Sequence, residues 1–374
     1  MSRQQTDNTG IPSRRSGVSG KPKQNKALKV FGVIAAVIIG ILVIIAVTLI
    51  VLMYKGEKDA LGANRAAMGG IVVPAETNAS VETDPEDTNT YIYYNDKKYM
   101  YNDKITTILF AGIDTHEEQQ TGKLGGYGQA DCIIVCALDT ESGNYKMMAV
   151  SRDSMVDVDE YDASGNYSRT VKEQICLAHG YVDGKEGSCE NLKRSVSRLL
   201  FGIPVNSYAV IDLDALGILN NDVGGVHVTV NEDLTSRDPS LYEGADLVLD
   251  AKQAEAFVRY REMYGDGTMN DRRMERQKIY LEEFIKQTLA LTKKDITTPV
   301  RMYNDAKDYM TTDIDVSRVT YYASVFLKSG FSADKNFIKV PGEASLGDKG
   351  YAEYHVDNKA LFDMILDTYY IEVE

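Results

Sequence analysis

Three apolar runs, ITTILFAGI (105–113), CIIVCAL (132–138) and YKMMAV (145–150), set the architecture of this chain. Each is short and rich in β-formers, and each reads as a strand. Between the second and third lies DTESGN (139–144), a short polar turn, so these two strands are expected to pair antiparallel. Asp114 ends the first run, Asp131 opens the second, and Arg152 and Asp153 follow the third. If the loop 115–130 is also a return connection, these four side chains gather at one end of the sheet. Working outward, Glu190–Phe201 reads as an amphipathic helix with Leu192, Val196, Leu199 and Leu200 on one side. Tyr208–Leu213 and Val226–Val230 read as further strands. Strands mixed with helices and hairpin returns imply an α/β fold, a mixed central β-sheet sandwiched by helices.

Arg259, Arg261, Arg272, Arg273 and Arg276 fall within eighteen residues of a chain whose formal net charge is -14. A guanidinium is a planar fork of donors that matches phosphate oxygens and stays charged. The alternative is a solvated helix face with ion-paired arginines. Asp250 and Gln253 form a capping-box signature that opens a helix at Ala251, expected to stop near Phe257. In an extended FVRYR segment, Arg259 and Arg261 would point the same way. Asn270 or Asp271 is then expected to cap a long helix running to about Leu291, with Arg273, Arg276 and Gln277 in its first two turns. Arginine is unfavourable there unless an anion sits between it and the free N–H groups.

Val30–Tyr54 is 25 residues without a charge, long enough to cross a bilayer as a helix. Residues 1–29 carry seven basic side chains against one acid, which places the N-terminus in the cytoplasm and the remainder outside. A cleaved signal peptide would have a shorter apolar region. The tail's +6 leaves -20 for the rest, which argues against nucleic acid as a partner. The expected layout is a cytoplasmic tail (1–29), a transmembrane helix (30–54), an extracytoplasmic linker (55–90) and a catalytic domain (91–374). Cys132 and Cys136, four apart on a strand, lie too far apart for a disulfide. Cys176 and Cys189 flank a glycine-containing loop, and a disulfide between them is plausible outside the cell. No Cys/His spacing resembles a zinc site.

Taken together, the blocks ILFAGID (108–114), AD (130–131), SRD (151–153), KEQICLAHGY (172–181), ENLKRSVSRLL (190–200), DVGGV (222–226), VRYR (258–261) and RRMERQ (272–277) resemble the LytR-CpsA-Psr family in order and spacing. The resemblance covers the anchor and nearly all of residues 91–374. It implies a membrane-anchored phosphotransferase that moves a glycopolymer from a polyprenyl-pyrophosphate carrier to a hydroxyl of peptidoglycan. The lipid tail would lie in an apolar tunnel, with Mg²⁺ near the pyrophosphate. Asp114 and Asp131 match the family's acidic pair near the metal, and Asp131 could instead be the base. Arg152 matches a family arginine, with Asp153 as its orienting partner. Arg259, Arg261, Arg273 and Gln277 match the pyrophosphate-gripping set, and Arg276 lies beside them. His116 and Gln129 stand where the family usually has arginines. That departure keeps two other readings open: a polyprenyl-phosphate-binding regulator without turnover, and a hydrolase of the lipid carrier.

Overall fold

The computed structural model describes residues 44–60, 71–85, 89–116, 126–260, 269–328 and 336–374. The chain divides into two units, Met1–Leu49 and Ile50–Glu374. Of the first unit, only residues 44–49 are described, and they are helical. Most of the apolar span 30–54 therefore lies outside the described residues. Among the described residues, no helix is long and apolar enough to cross a membrane.

Six strands build the central sheet of the second unit. In chain order they are β1 (Ile105–Ile113), β2 (Ala130–Asp139), β3 (Tyr145–Val150), β4 (Ser207–Ile211), β5 (Met310–Thr312) and β6 (Phe337–Lys339). Their spatial order is β5-β4-β1-β2-β3-β6. β1, β2 and β3 pair antiparallel in succession, whereas β4 runs parallel to β1 and β6 parallel to β3. The sheet is thus mixed, and the 115–130 connection does return the chain, so β1 ends where β2 begins. Seven helices are used below: α1 (Glu186–Leu199), α2 (Leu213–Asp222), α3 (Ala251–Arg259), α4 (Met269–Lys294), α5 (Thr298–Ala306), α6 (Val316–Phe326) and α7 (Asn358–Tyr369).

Because side chains alternate along a strand, each run feeds two cores. Leu109, Ile133, Val135, Met148 and Val150 point to one face, where they pack with Leu192 and Val196 of α1 and Leu361 and Ile365 of α7. Ile108, Ile134, Cys136 and Met147 point to the other, toward Met274 of α4 and Tyr321, Tyr322 and Val325 of α6. Helices therefore cover both faces. A third core joins α2, α3 and α4 to the hairpin Val226–Thr229/Asp246–Leu249. Gly225 begins that hairpin at φ 87°, and a Cβ there would lie 2.8 Å from the Leu249 carbonyl oxygen. Only glycine fits this turn.

Residues 90–101, with five tyrosines, form a hairpin, Thr90–Tyr94 and Lys97–Tyr101, turned by Asn95 and Asp96 at φ 49° and 58°. Two successive left-handed residues match the twist of a tight hairpin. It sits inside a four-stranded sheet, between Ser80–Thr83 and Tyr370–Val373, and not at an edge. Within 55–90, read from composition as linker, residues 55–60 continue a helix. Gly56 crosses α6 so closely that a Cβ would lie 2.3 Å from the Ser317 carbonyl oxygen.

Three local expectations are corrected. α3 does not stop near Phe257 but continues through Arg259, whose Nη1 donates to Glu255 Oε1 at 2.7 Å one turn back. This i,i+4 pair supports the last turn, so Arg259 is helical and not part of an extended segment. Arg261 lies outside the described residues. α4 already includes Asn270 and Asp271 in its first turn, so neither precedes it as a cap. Cys176 and Cys189 are free thiols in separate surroundings. Cys176 Sγ lies 3.1 Å from Arg152 Nη2, while Cys189 packs into the α1 face of the core. Burial pushes the Cys176 thiol up to about 11, far from the reactive thiolate range.

Candidate active site

β1 and β2 deliver Asp114 and Asp131 to one end of the sheet, and the turn after β3 delivers Arg152 and Asp153. The Gln129 amide donates to Asp114 Oδ1 at 2.8 Å, pinning that carboxylate to the β1–β2 connection. Among the described residues, Asp114 Oδ2 accepts no hydrogen bond. Asp131 is held differently. Arg152 Nη1 donates to its Oδ1, and Arg273 Nη1 donates to its Oδ2 at 2.8 Å. Both guanidiniums are buried, Arg273 at 2% exposure. A carboxylate gripped by two buried arginines is an anchor, because removing it would strand both charges. Arg152 also donates from Nη2 to Gln129 Oε1, and its Nε lies 3.5 Å from Asp153 Oδ1. Asp153 is thus placed to orient Arg152.

Behind this polar cluster opens a cavity of about 490 Å³. It lies between the second face of the sheet (Ile108, Phe110, Ile134, Met147) and helices α2, α4, α5 and α6. Its lining is almost wholly apolar. The polar groups at one end include Asp114, Asp131, Arg259, Arg273 and Gln277. Arg259 Nη2 reaches toward the Asp114 carbonyl oxygen at 3.5 Å, and Gln277 Nε2 donates to the Val258 carbonyl at 3.3 Å. Five of the residues singled out in the sequence therefore rim one apolar chamber.

Others do not. Arg276 does not line the cavity and braces the fold instead. Its Nε donates to the Phe257 carbonyl at 2.7 Å, and its other nitrogens engage Glu232 and the Tyr260 carbonyl. It ties α4 to the end of α3. Arg152 and Asp153 are buried behind Asp131 and do not line the chamber either. His116 turns away, with Nδ1 2.9 Å from Asp214 Oδ1 and Nε2 3.9 Å from Glu255 Oε1. Sequence reasoning missed Asn270 and Ser151. Asn270 accepts from Arg273 Nη2 on Oδ1 and donates from Nδ2 to Ser151 Oγ, both at 2.8 Å. It also gave no role to α5 and α6, whose apolar faces line the chamber.

Among the described residues, no group of three or more His, Cys, Asp or Glu side chains is arranged to hold a metal. Mg²⁺ does not require one, since it binds through one or two carboxylates plus phosphate oxygens and water. Asp114 fits that use.

Comparison with known proteins decides the family. The LytR_cpsA_psr family matches residues 72–367. The chain belongs to the LytR-CpsA-Psr family. A polyisoprenyl-teichoic acid–peptidoglycan teichoic acid transferase, TagV of Bacillus subtilis, is 26% identical over 62% of this chain and 55% of its own length. The corresponding TagU of Enterococcus faecalis is 26% identical over 61% of this chain and 69% of its own. The chain thus spans little more than half the length of the first of these relatives. Among solved structures, a Streptococcus agalactiae protein superposes with TM-score 0.57 at 21% identity, covering 71% of this chain and 86% of that one. The crystal structure of B. subtilis TagV gives TM-score 0.53 at 22% identity, covering 71% and 97%. These structures show that the LytR-CpsA-Psr fold is shared.

Proposed function

We propose that this LytR-CpsA-Psr chain is a membrane-anchored phosphotransferase that moves a glycopolymer from a polyprenyl-pyrophosphate carrier to peptidoglycan. The observation that carries the reading is the apolar chamber with arginines and carboxylates at one end. A polyprenyl diphosphate has the same division, a long hydrocarbon and an anionic head. The anchor is proposed from the uncharged run 30–54 and from the large apolar side chains, such as Ile44 and Ile50, that residues 44–60 leave exposed. The domain limits at 29, 54 and 90 belong to the same proposal.

In this mechanism the hydrocarbon fills the chamber and the diphosphate rests against Arg273, Arg259 and Gln277. An acceptor hydroxyl oxygen attacks the glycan-bearing phosphorus. A new P–O bond forms, the P–O bond to the bridging oxygen breaks, and polyprenyl monophosphate leaves. The hydroxyl proton passes to a rim carboxylate, Asp131 being the base where Asp114 holds the metal. Asp131 and Asn270 hold Arg273, and Asp153 and Gln129 hold Arg152, so the donors are in place before charge develops. Among the described residues, the rim pairs Arg259 and Arg273 with Asp114 and Asp131, and Arg152 behind it is offset by Asp153, which leaves no surplus positive charge for a diphosphate. Mg²⁺ on Asp114, and on Asp131 if a guanidinium yields one oxygen, would supply that charge when bound.

The test uses the full-length chain in detergent with a polyprenyl-diphosphate-linked glycan, peptidoglycan and Mg²⁺, read by mass spectrometry. A phosphodiester-linked conjugate that disappears with EDTA and in Arg273→Ala is expected; no conjugate under any magnesium concentration rejects the reading. A second reading, lipid binding without turnover, is favoured by one observation. His116 and Gln129 are engaged by Asp214 and Arg152 inside the protein and do not face the chamber. Bound lipid with no product of either transfer or hydrolysis would select it. Glycan phosphate and polyprenyl monophosphate released without acceptor would point to a hydrolase.

A further inference from the structure

We infer that Asn270, backed by Ser151, is a positioning residue that sets the direction of the Arg273 guanidinium; this rests on the transferase reading above. Arginine is only a donor, so the Asn270 side-chain oxygen must be the atom facing Arg273 Nη2 at 2.8 Å. That choice fixes the amide, and its nitrogen is left facing Ser151 Oγ at 2.8 Å. Ser151 Oγ also accepts from the Asp153 backbone amide at 3.3 Å. Asn270 and Ser151 are 7% and 1% exposed, so these contacts are dry and not readily replaced by water.

The chain of contacts joins three elements. Asp131 at the start of β2 takes one Arg273 nitrogen, and Asn270 in the first turn of α4 takes the other. Ser151, directly after β3, fixes Asn270. Two tethers on separate nitrogens restrict the guanidinium plane more tightly than the Asp131 contact would without Asn270. A phosphate-binding arginine needs its plane fixed, because the fork of donors matches phosphate oxygens in only a narrow range of orientations.

The substitutions separate positioning from mere stability. Asn270→Asp keeps an acceptor for Arg273, and the Ser151 hydroxyl can rotate to donate to it. Asn270→Leu matches the shape and keeps neither bond. The probe is geranylgeranyl diphosphate, with binding to the full-length protein measured by calorimetry beside glycan transfer. Asn270→Leu is expected to lower kcat/KM and diphosphate affinity by about tenfold or more, with Asn270→Asp staying within about threefold of the parent. In an Arg273→Ala background, Asn270→Leu should cost nothing further, since it acts only through that arginine. Equal losses in both backgrounds, or no loss in the parent, overturn the inference. Ser151→Ala gives a second route that leaves Asn270 in place, with a smaller loss expected in the same direction. Arg273→Ala alone separates the two failures. If it weakens diphosphate binding and Asn270→Leu does not, only the positioning role falls. If it binds as the parent does, the phosphate site itself falls and the positioning role with it.

Discussion

The two faces of the central sheet are built from the same strands and end in opposite states. On the α1 and α7 face, Leu109, Val135 and Met148 are fully buried against helix side chains. On the α4 and α6 face, Ile108, Phe110, Ile134 and Met147 look into a chamber of about 490 Å³. Protein interiors are ordinarily packed to crystal-like density, and an apolar void forfeits contacts on every wall. One face therefore supplies the stability that lets the other stay hollow. The polar cluster sits at an end of the hollow face, where a bound anion would meet Arg273.

The comparison can be broken at several points, and the largest effect is expected at that polar end. Arg273→Ala should reduce transfer about 10²–10³-fold, the loss typical of one preorganised donor to developing charge. Steady-state kinetics beside a melting curve would separate this from unfolding. Next, Leu109→Ala on the packed face should cost about 3 kcal/mol, because it opens a cavity in a filled core. Ile285→Ala in the chamber wall should cost clearly less, since that side chain already borders empty space and its loss opens less new cavity. Denaturant midpoints decide it, and equal costs would contradict the two-face account.

Enlarging a side chain should reverse the ranking of harm to function. Ala137→Phe, toward the packed face, should destabilise by about 1–3 kcal/mol through overpacking. Ala209→Phe, on β4 in the chamber wall, should leave the melting temperature nearly unchanged while abolishing lipid binding. The smallest effect concerns acid stability, at the hairpin (Met155–Tyr161 with Tyr167–Gln174) that packs on α1. Burial raises the Asp159 pKa, but hydrogen bonds from Arg198 and Thr170 and the charge of Arg194 outweigh it and hold the carboxyl below the usual range. A lowered folded pKa means this stabilisation is present above the ordinary carboxylate pKa and is lost as pH falls through the folded value. Asp159→Asn should therefore flatten the acid limb of the stability profile and leave transfer at neutral pH unchanged.

The strands were legible because ITTILFAGI and its neighbours are short, nearly continuous runs of β-formers, and the turn at 139–144 fixed how two of them pair. The hollow was not legible. Ile108 and Leu109 are adjacent and chemically alike, yet one lines the chamber and the other fills a core, a distinction made by distant helices. The arginine cluster pointed to the right place without sorting its members. Arg273 and Arg276 are one helical turn apart, and only the carbonyls of Phe257 and Tyr260 with Glu232 explain why the second is a brace. Helix–strand parity misplaced Arg259, because the Glu255 pair that extends α3 outweighed the strand formers around it. Asn270 was read as a cap, and its partnership with Arg273 depends on Ser151, 119 positions earlier.

The most direct test of the hollow-face account is native mass spectrometry of the full-length protein loaded with a polyprenyl diphosphate. The account predicts one lipid per chain, lost in Ala209→Phe and weakened in Arg273→Ala, with Ala137→Phe, where it folds, still loading. Undiminished lipid in Ala209→Phe, or none in the parent, would contradict it.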